Sequence, residues 1–109
     1  MGPPNVVLIT GGNNGIGYET VKALLQSKRS YHIFLCSRSL EKGRHALETL
    51  HKEYPEKTKN AIEVVSLDVT SDESIEQAFE RVKAKTGHID TLVNNAGTYL
   101  HISIYIYIL

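Results

Sequence analysis

Short apolar runs alternate along the chain with longer segments in which apolar residues recur every three or four positions. The runs fall at residues 6–9, 33–36, 62–67 and 91–94, and their β-branched content is typical of strands that are buried on both faces. Each of the first three runs is followed by a helical stripe. The pattern is therefore a strand and a helix, repeated three times, with a fourth strand at the end.

The ends of the predicted helices are marked by polar residues, proline and glycine. The three stripes consist of Ile16, Val21, Leu24 and Leu25; of Gly43, Leu47, Leu50 and Tyr54; and of Ile75, Ala78, Phe79 and Val82. We expect Ser39 to cap the second helix and Pro55 to close it. Thr70 and Glu73 form a predicted capping box at the start of the third helix, which Gly87 is placed to end in a left-handed conformation.

Strands that are joined by helices pair in parallel with right-handed crossovers. The sequence therefore predicts a three-layer α/β fold with strand order 3-2-1-4. Residues 1–97 contain the whole pattern, and we expect them to form one domain. Residues 98–109 differ in character, and we interpret them as a separate hydrophobic tail.

Composition excludes several classes of protein. The formal net charge is zero, so the chain carries no basic excess for binding nucleic acid. Because Cys36 is the single cysteine, no disulfide framework can form, which favours a reducing, cytoplasmic setting. No apolar stretch is long enough to cross a membrane, and the five histidines lack metal-ligand spacing. We expect neither a membrane nor a metal as a partner.

A glycine-rich segment, residues 10–17, lies between the first predicted strand and the first predicted helix. In that position, Gly11 would make a tight turn, Gly15 would let the main chain approach a pyrophosphate, and Gly17 would let the helix pack closely. The amide groups at the start of the helix and the positive end of its dipole would then bind the phosphates. The segment therefore predicts a dinucleotide site.

The residues at the end of the second strand, Ser37 and Arg38, favour one dinucleotide over the other. NAD binding would require an Asp or Glu here to accept hydrogen bonds from the ribose hydroxyls. The guanidinium of Arg38 can instead pair with the 2′-phosphate of NADP while its plane lies along the adenine. We expect NADP as the cofactor, with NAD less favoured. The alternative is that Arg38 is a solvated residue at a helix start.

Three motifs in order are similar to those of the short-chain dehydrogenase/reductase family of NAD(P)-dependent oxidoreductases. Residues 10–17 match T-G-x-x-x-G-x-G, Asp68-Val69 resembles the pair that contacts adenine, and residues 94–97 resemble N-N-A-G. The resemblance implies a Rossmann fold and hydride transfer between NADP and a carbonyl or alcohol. The implied cofactor-binding set is Gly11, Asn13, Asn14, Gly15, Ile16, Gly17, Ser37, Arg38, Asp68, Val69, Asn95, Ala96 and Gly97.

The resemblance also implies individual roles for these residues. Asp68 would accept a hydrogen bond from the adenine amino group, the Val69 main chain would donate to the ring, and Asn95 would contact the adenosine ribose. Two of these roles have an alternative. Asp68 is also suited to capping a turn or helix. The pair Asn94 and Asn95 is likewise suited to a purely architectural role.

The family's catalytic Ser and its Tyr-x-x-x-Lys pair follow the N-N-A-G motif and have no counterpart in this sequence. Tyr18 and Lys22 match Tyr-x-x-x-Lys by spacing, but they fall in the helix after the glycine-rich segment, so we assign them no catalytic role. We therefore expect a truncated member of the family that binds its cofactor but has no catalytic residues. A carbonyl or alcohol substrate is expected only for a full-length form.

The tail, residues 98–109, has Leu or Ile at every even position from 100 to 108, which predicts a strand rather than the loop and helix of the family. An out-of-frame or intronic reading and a deliberate short form both explain that divergence. The tail and the fourth-strand edge are candidates for strand pairing or homo-oligomer formation. The alternative function, from a different class, is a non-enzymatic interaction module that pairs through its exposed sheet edge.

Overall fold

A computed structural model describes residues 3–13, 15–55 and 60–95, which form a four-stranded parallel sheet with helices on both faces. The elements in chain order are β1 (Asn5–Ile9), α1 (Gly15–Gln26), β2 (Tyr31–Ser37), α2 (Leu40–Glu53), β3 (Ala61–Ser66), α3 (Asp72–Lys85) and β4 (Thr91–Val93). The sheet order is β3-β2-β1-β4. The predicted order of the four strands is confirmed, and the three helices predicted between them are present.

Two apolar layers cover the two faces of the sheet. Because successive side chains of a strand point to opposite faces, β1 and β2 supply residues to both layers. One layer joins these strands to α1 and α2 and contains Val7, Ile9, Val21, Leu25, Ile33, Leu35, Ala46 and Leu50. The other joins them to α3 and contains Val6, Leu8, Phe34, Cys36, Val65, Ala78 and Val82. This double burial explains why residues 6–9 of β1 and 33–36 of β2 are apolar at every position.

The N-terminal cap of α2 is the predicted residue, whereas that of α3 is not. Ser39 caps α2, and its hydroxyl accepts a hydrogen bond from the Lys42 N–H at 3.2 Å, as predicted. The prediction of a capping box formed by Thr70 and Glu73 is wrong, because Ser71 caps α3 instead. The Thr70 hydroxyl is instead directed at the Asp68 carboxylate, to which it donates at 2.7 Å. The start of α3 is therefore one residue later than predicted.

Gly87 ends α3 in the predicted way. Its φ of 76° lies in the left-handed region, and its N–H donates to the Val82 carbonyl at 3.2 Å. The chain then turns back toward β4.

Hydrogen bonds at both ends of β1 hold it to β4. At the start of β1, the Val6 N–H donates to the Asp90 carboxylate at 2.8 Å, and the Asp90 N–H donates to the Val6 carbonyl at 2.8 Å. Just beyond the other end, the Thr10 N–H donates to the Val93 carbonyl at 3.0 Å. These contacts align the ends of the two strands and therefore fix the edge of the sheet where the chain leaves them.

Candidate cofactor site

The carboxyl ends of the four strands meet at one edge of the sheet, and the predicted site residues that the structure describes follow them. Residues 10–13 follow β1, Arg38 follows β2, Asp68 and Val69 follow β3, and Asn94 and Asn95 follow β4. Ligands of open α/β sheets bind in the crevice outside this edge. The predicted residues Asn14, Ala96 and Gly97, and the predicted strand in residues 98–109, lie outside the described residues.

The glycine-rich loop is bent by two glycines and tied to the sheet. Gly11 and Gly15 have φ of 62° and 58°, values that L side chains rarely adopt. The Gly12 N–H donates to the Cys36 carbonyl at 2.9 Å, which holds the loop against the end of β2. Helix α1 begins at Gly15 and has no acidic residue in its first turn, so its positive end is available to an anion.

Gly17 occupies a position where no side chain fits. An added Cβ would overlap the Gly11 carbonyl oxygen and would lie 2.8 Å from Asn95 Nδ2. Glycine therefore lets α1 approach both the loop and the end of β4. Ile16, one residue earlier, has 76% of its surface exposed at the same end of the helix.

Thr10 connects the loop to the end of β4, a contact that sequence reasoning missed. Its side chain is fully buried, and its hydroxyl accepts a hydrogen bond from the Asn95 N–H at 2.8 Å. The same hydroxyl lies 3.1 Å from Asn94 Oδ1, to which it donates. The Asn95 side-chain amide in turn donates to the Gly11 carbonyl at 3.3 Å. The two asparagines therefore brace the loop, which is the architectural role left open above.

At the end of β2 one side chain faces inward and the next faces outward. Ser37 is 2% exposed, and its hydroxyl accepts a hydrogen bond from the Ser39 N–H at 3.3 Å. Arg38 is exposed, and it follows the strand that pairs with β3. Arg38 therefore lies at the same edge of the sheet as Asp68, which follows β3.

A cavity of about 410 Å³ lies between the loop and the first turns of α2. It is lined by Asn13, Ser39, Glu41, Lys42 and His45. Sequence reasoning did not select Lys42 or His45. The signal that could have found them is their spacing, three and six residues after the cap Ser39 of the helix that follows Arg38.

The turn after β3 holds the Asp68 carboxylate in its charged form. Its Oδ1 accepts hydrogen bonds from the Thr70 hydroxyl at 2.7 Å and the Thr70 N–H at 3.0 Å. These two bonds, with a smaller effect of the Arg38 charge, lower the pKa of the Asp68 carboxyl. Within residues 3–13, 15–55 and 60–95, Asp68 Oδ2 accepts no hydrogen bond and the Val69 N–H donates none. Asp68 thus caps its turn with one oxygen and leaves the other without a donor among the described residues.

Lys22 lies on the side of α1 that faces the end of α2, and its Nζ is 5.9 Å from the centre of the Tyr18 ring. Lys22 Nζ is 3.9 Å from a Glu19 carboxylate oxygen and 3.6 Å from a Glu53 carboxylate oxygen, and these two charges raise the pKa of Lys22. Burial raises the pKa of Tyr18, with a further contribution from the Glu53 charge. The Tyr18 hydroxyl is buried without a hydrogen-bond partner among the described residues. This pair therefore has surroundings unlike those of a proton relay at the cofactor edge.

The part of the chain that the structure describes has neither a metal-binding cluster nor a membrane-spanning helix. No cluster of three or more His, Cys, Asp or Glu side chains is arranged there to hold a metal ion. None of the described helices combines the length and apolar character needed to span a bilayer.

Comparison with known proteins relates the chain to one family. The model of the short chain dehydrogenase family matches residues 5–104. Short-chain dehydrogenase/reductase tropE of Talaromyces stipitatus is 46% identical over 97 residues, which are 89% of this chain and 36% of that protein. The chain spans about a third of the length of the curated relatives it matches.

Solved structures of reductases share the fold of this chain. Menthone neomenthol reductase from Mentha piperita superposes with a TM-score of 0.75 at 35% identity, covering 89% of this chain and 33% of its own. L-sorbose reductase from Gluconobacter frateurii, solved in complex with NADPH and L-sorbose, superposes with a TM-score of 0.73 at 29% identity. That superposition covers 87% of this chain and 34% of the reductase. The predicted Rossmann architecture is confirmed.

Proposed function

Because the chain belongs to the short-chain dehydrogenase family, we propose that it binds NADP at the strand-end edge and forms the cofactor-binding part of a carbonyl/alcohol oxidoreductase. The observation that carries this proposal is the convergence at one edge of the α1 N-terminus, Arg38 and the Asp68 turn. In this proposal the α1 N-terminus binds the pyrophosphate, Arg38 binds the 2′-phosphate and the Asp68 turn binds the adenine.

The glycine-rich loop would hold the pyrophosphate. Gly11 and Gly15 supply the positive φ values that turn the backbone, and α1, which begins at Gly15, would direct its first amides and its positive end toward the phosphates. The bonds that Asn95 donates to the Thr10 hydroxyl and the Gly11 carbonyl hold the loop in this shape before any ligand binds. A loop formed in advance loses little conformational entropy on binding, which favours affinity.

NADP is preferred over NAD in this proposal because of the charges at the end of β2. No Asp or Glu stands in the two positions that close this strand and follow it, Ser37 and Arg38. The cavity between the loop and α2 is lined by one cationic side chain, Lys42, and one carboxylate, Glu41, with His45 beside them. The NADPH bound to the sorbose reductase, a structure of the same fold, supports the choice.

The Asp68 turn would recognise the adenine. Asp68 Oδ2 is an available acceptor for the 6-amino group, and the Val69 N–H is an available donor for a ring nitrogen. Arg38, whose charge acts on Asp68, would cover the face of the ring. Asn95 would contact the adenosine ribose, as the family resemblance implies.

Reduction of a carbonyl by hydride transfer requires a proton donor, which we propose is supplied by residues outside the printed sequence. Lys22 is paired with Glu19 and Glu53, and the Tyr18 hydroxyl is buried, so this pair does not fill this role. The substrate and the proton relay would therefore belong to a longer protein that contains this part.

Fluorescence titration of the purified chain with NADPH and NADH tests the proposal. We expect NADPH to bind more tightly, and Arg38→Ala to weaken NADPH about tenfold or more with little effect on NADH, since charge-assisted hydrogen bonds contribute about 1.5–3 kcal/mol. Arg29→Ala is the matched control, because Arg29 is exposed between α1 and β2. Equal affinities for both cofactors would contradict the choice of NADP. Self-association without any cofactor binding would instead favour the interaction module.

A further inference from the structure

Asp68 is held by hydrogen bonds at its amide, its carbonyl and its carboxylate. Its N–H donates to the Ser74 hydroxyl oxygen at 2.8 Å, its carbonyl accepts from the Ser71 N–H at 3.0 Å, and its carboxylate accepts from Thr70. Two of these partners lie within the turn itself. Ser74 alone reaches the turn from inside α3.

Ser74 continues the support of the chain where the sheet stops. The Leu67 N–H still donates to the Ser37 carbonyl at 2.9 Å, which is the last bond from this segment to β2. At the next residue the Ser74 hydroxyl replaces the neighbouring strand as the acceptor. Without that hydroxyl, the Asp68 N–H would lose its acceptor at 2.8 Å.

We propose that Ser74 is a positioning residue for adenine recognition: by holding the Asp68 amide, it keeps Asp68 Oδ2 and the Val69 N–H directed out of the turn. This inference rests on the proposed function, because it requires an adenine-bearing cofactor at this edge. The two presented groups are spaced one residue apart, as an acceptor and a donor, and adenine offers the complementary donor and acceptor on one edge of its ring. Hypoxanthine reverses both groups, since it has a carbonyl oxygen and a ring N–H there.

The test compares adenine and hypoxanthine forms of the cofactor. NADPH and its reduced hypoxanthine analogue are titrated into the unsubstituted chain and into Ser74→Ala, Ser74→Thr and Ser71→Ala, and the ratio of the two Kd values is measured. Ser71→Ala is the matched control, because it removes the α3 cap, which accepts from the Ser74 N–H at 3.2 Å, and leaves the Asp68 amide bond intact. Thermal unfolding of each variant measures the stability loss separately.

We expect the unsubstituted chain to prefer the adenine form. Ser74→Ala should lower this preference about threefold to tenfold, the range that the loss of one hydrogen bond predicts, and Ser74→Thr should restore it. Ser71→Ala should lower the unfolding temperature but keep the preference. An unchanged preference in Ser74→Ala, an equal loss in Ser71→Ala, or no preference in the unsubstituted chain would overturn the inference while NADPH binding stands. Failure of the unsubstituted chain to bind NADPH would overturn the proposed function, and this inference with it.

Amide hydrogen exchange on the unsubstituted chain tests the same point if Ser74→Ala does not fold. The Asp68 amide should be protected before cofactor is added, whereas the Val69 amide should become protected only when NADPH is added. An unprotected Asp68 amide in the free chain, or a Val69 amide that saturating NADPH leaves unchanged, would overturn the inference.

Discussion

Replacing Thr10 by valine tests whether the loop and the end of β4 are held together by one buried hydroxyl. Valine has nearly the same shape as threonine and a high preference for strands, so the substitution removes the hydroxyl and little else. The Asn95 N–H then loses its acceptor at 2.8 Å, and Asn94 Oδ1 loses its donor at 3.1 Å. Because Asn94 is exposed, water can replace the second bond.

The expected cost comes mainly from the half-buried Asn95 N–H. Leaving such a donor without an acceptor costs about 1–3 kcal/mol, and we expect about 2 kcal/mol for Thr10→Val. In a domain of this size, that loss lowers the unfolding temperature by about 8–16 °C. Thr10→Ser keeps the hydroxyl but removes a buried methyl group, which costs about 1 kcal/mol.

Thermal and urea unfolding of the three proteins provide the assay. The unsubstituted chain should be the most stable, Thr10→Ser should be intermediate and Thr10→Val should be the least stable. Cofactor affinity should follow the same order, because the Asn95 side chain supports the Gly11 carbonyl. If Thr10→Val is as stable as Thr10→Ser, the hydroxyl does not join the loop to β4, and the reasoning is refuted.

Three further substitutions or reactions have definite expected outcomes. Gly17→Ala should weaken NADPH binding at least about tenfold and destabilise the fold by about 1–2 kcal/mol, because the added Cβ overlaps the Gly11 carbonyl oxygen. Cofactor titration measures the first effect and thermal unfolding the second. An unchanged affinity would show that the loop tolerates the added methyl group. The hydrogen bonds from Thr70 lower the pKa of Asp68, so this carboxylate stabilises the fold at pH values above its ordinary pKa and loses that effect as the pH falls through the lowered pKa. Asp68→Asn should therefore lose less stability than the unsubstituted chain between neutral and strongly acidic pH. Parallel profiles of stability against pH for the two proteins would contradict this. Burial raises the pKa of the Cys36 thiol to about 12, so thiol reagents at pH 8 should label it only when the chain unfolds, and rapid labelling of the native chain would refute its burial.

The order of elements could be predicted from the sequence because each signal is local. A buried strand needs an apolar run, a helix on a sheet needs an apolar stripe, and helix–strand alternation leaves few topologies. Gly87 shows the same point at a single position, since a left-handed residue after a helix favours glycine and the structure has φ of 76° there.

The errors and omissions concern residues whose role depends on distant neighbours. Thr70 has the residue type and spacing of a helix cap, but the Asp68 carboxylate competes for its hydroxyl, and only the folded turn shows which contact wins. The bond between Thr10 and Asn95 spans 85 positions, so no local pattern could indicate it. Ser74 was overlooked for a related reason, because its acceptor role depends on how the turn before α3 folds back.

The pairing of β1 with β4 has a consequence for the order in which the protein folds. Val7 of β1 pairs with Ile33 of β2 on one side and with Thr91 of β4 on the other. β2 is therefore synthesised soon after β1, whereas β4 is among the last described residues. Closing the longer loop costs more chain entropy and slows the search for that contact. During synthesis on the ribosome, β1 should therefore expose a bare strand edge until residue 93 has emerged, a period in which chaperones or neighbouring nascent chains have access to it.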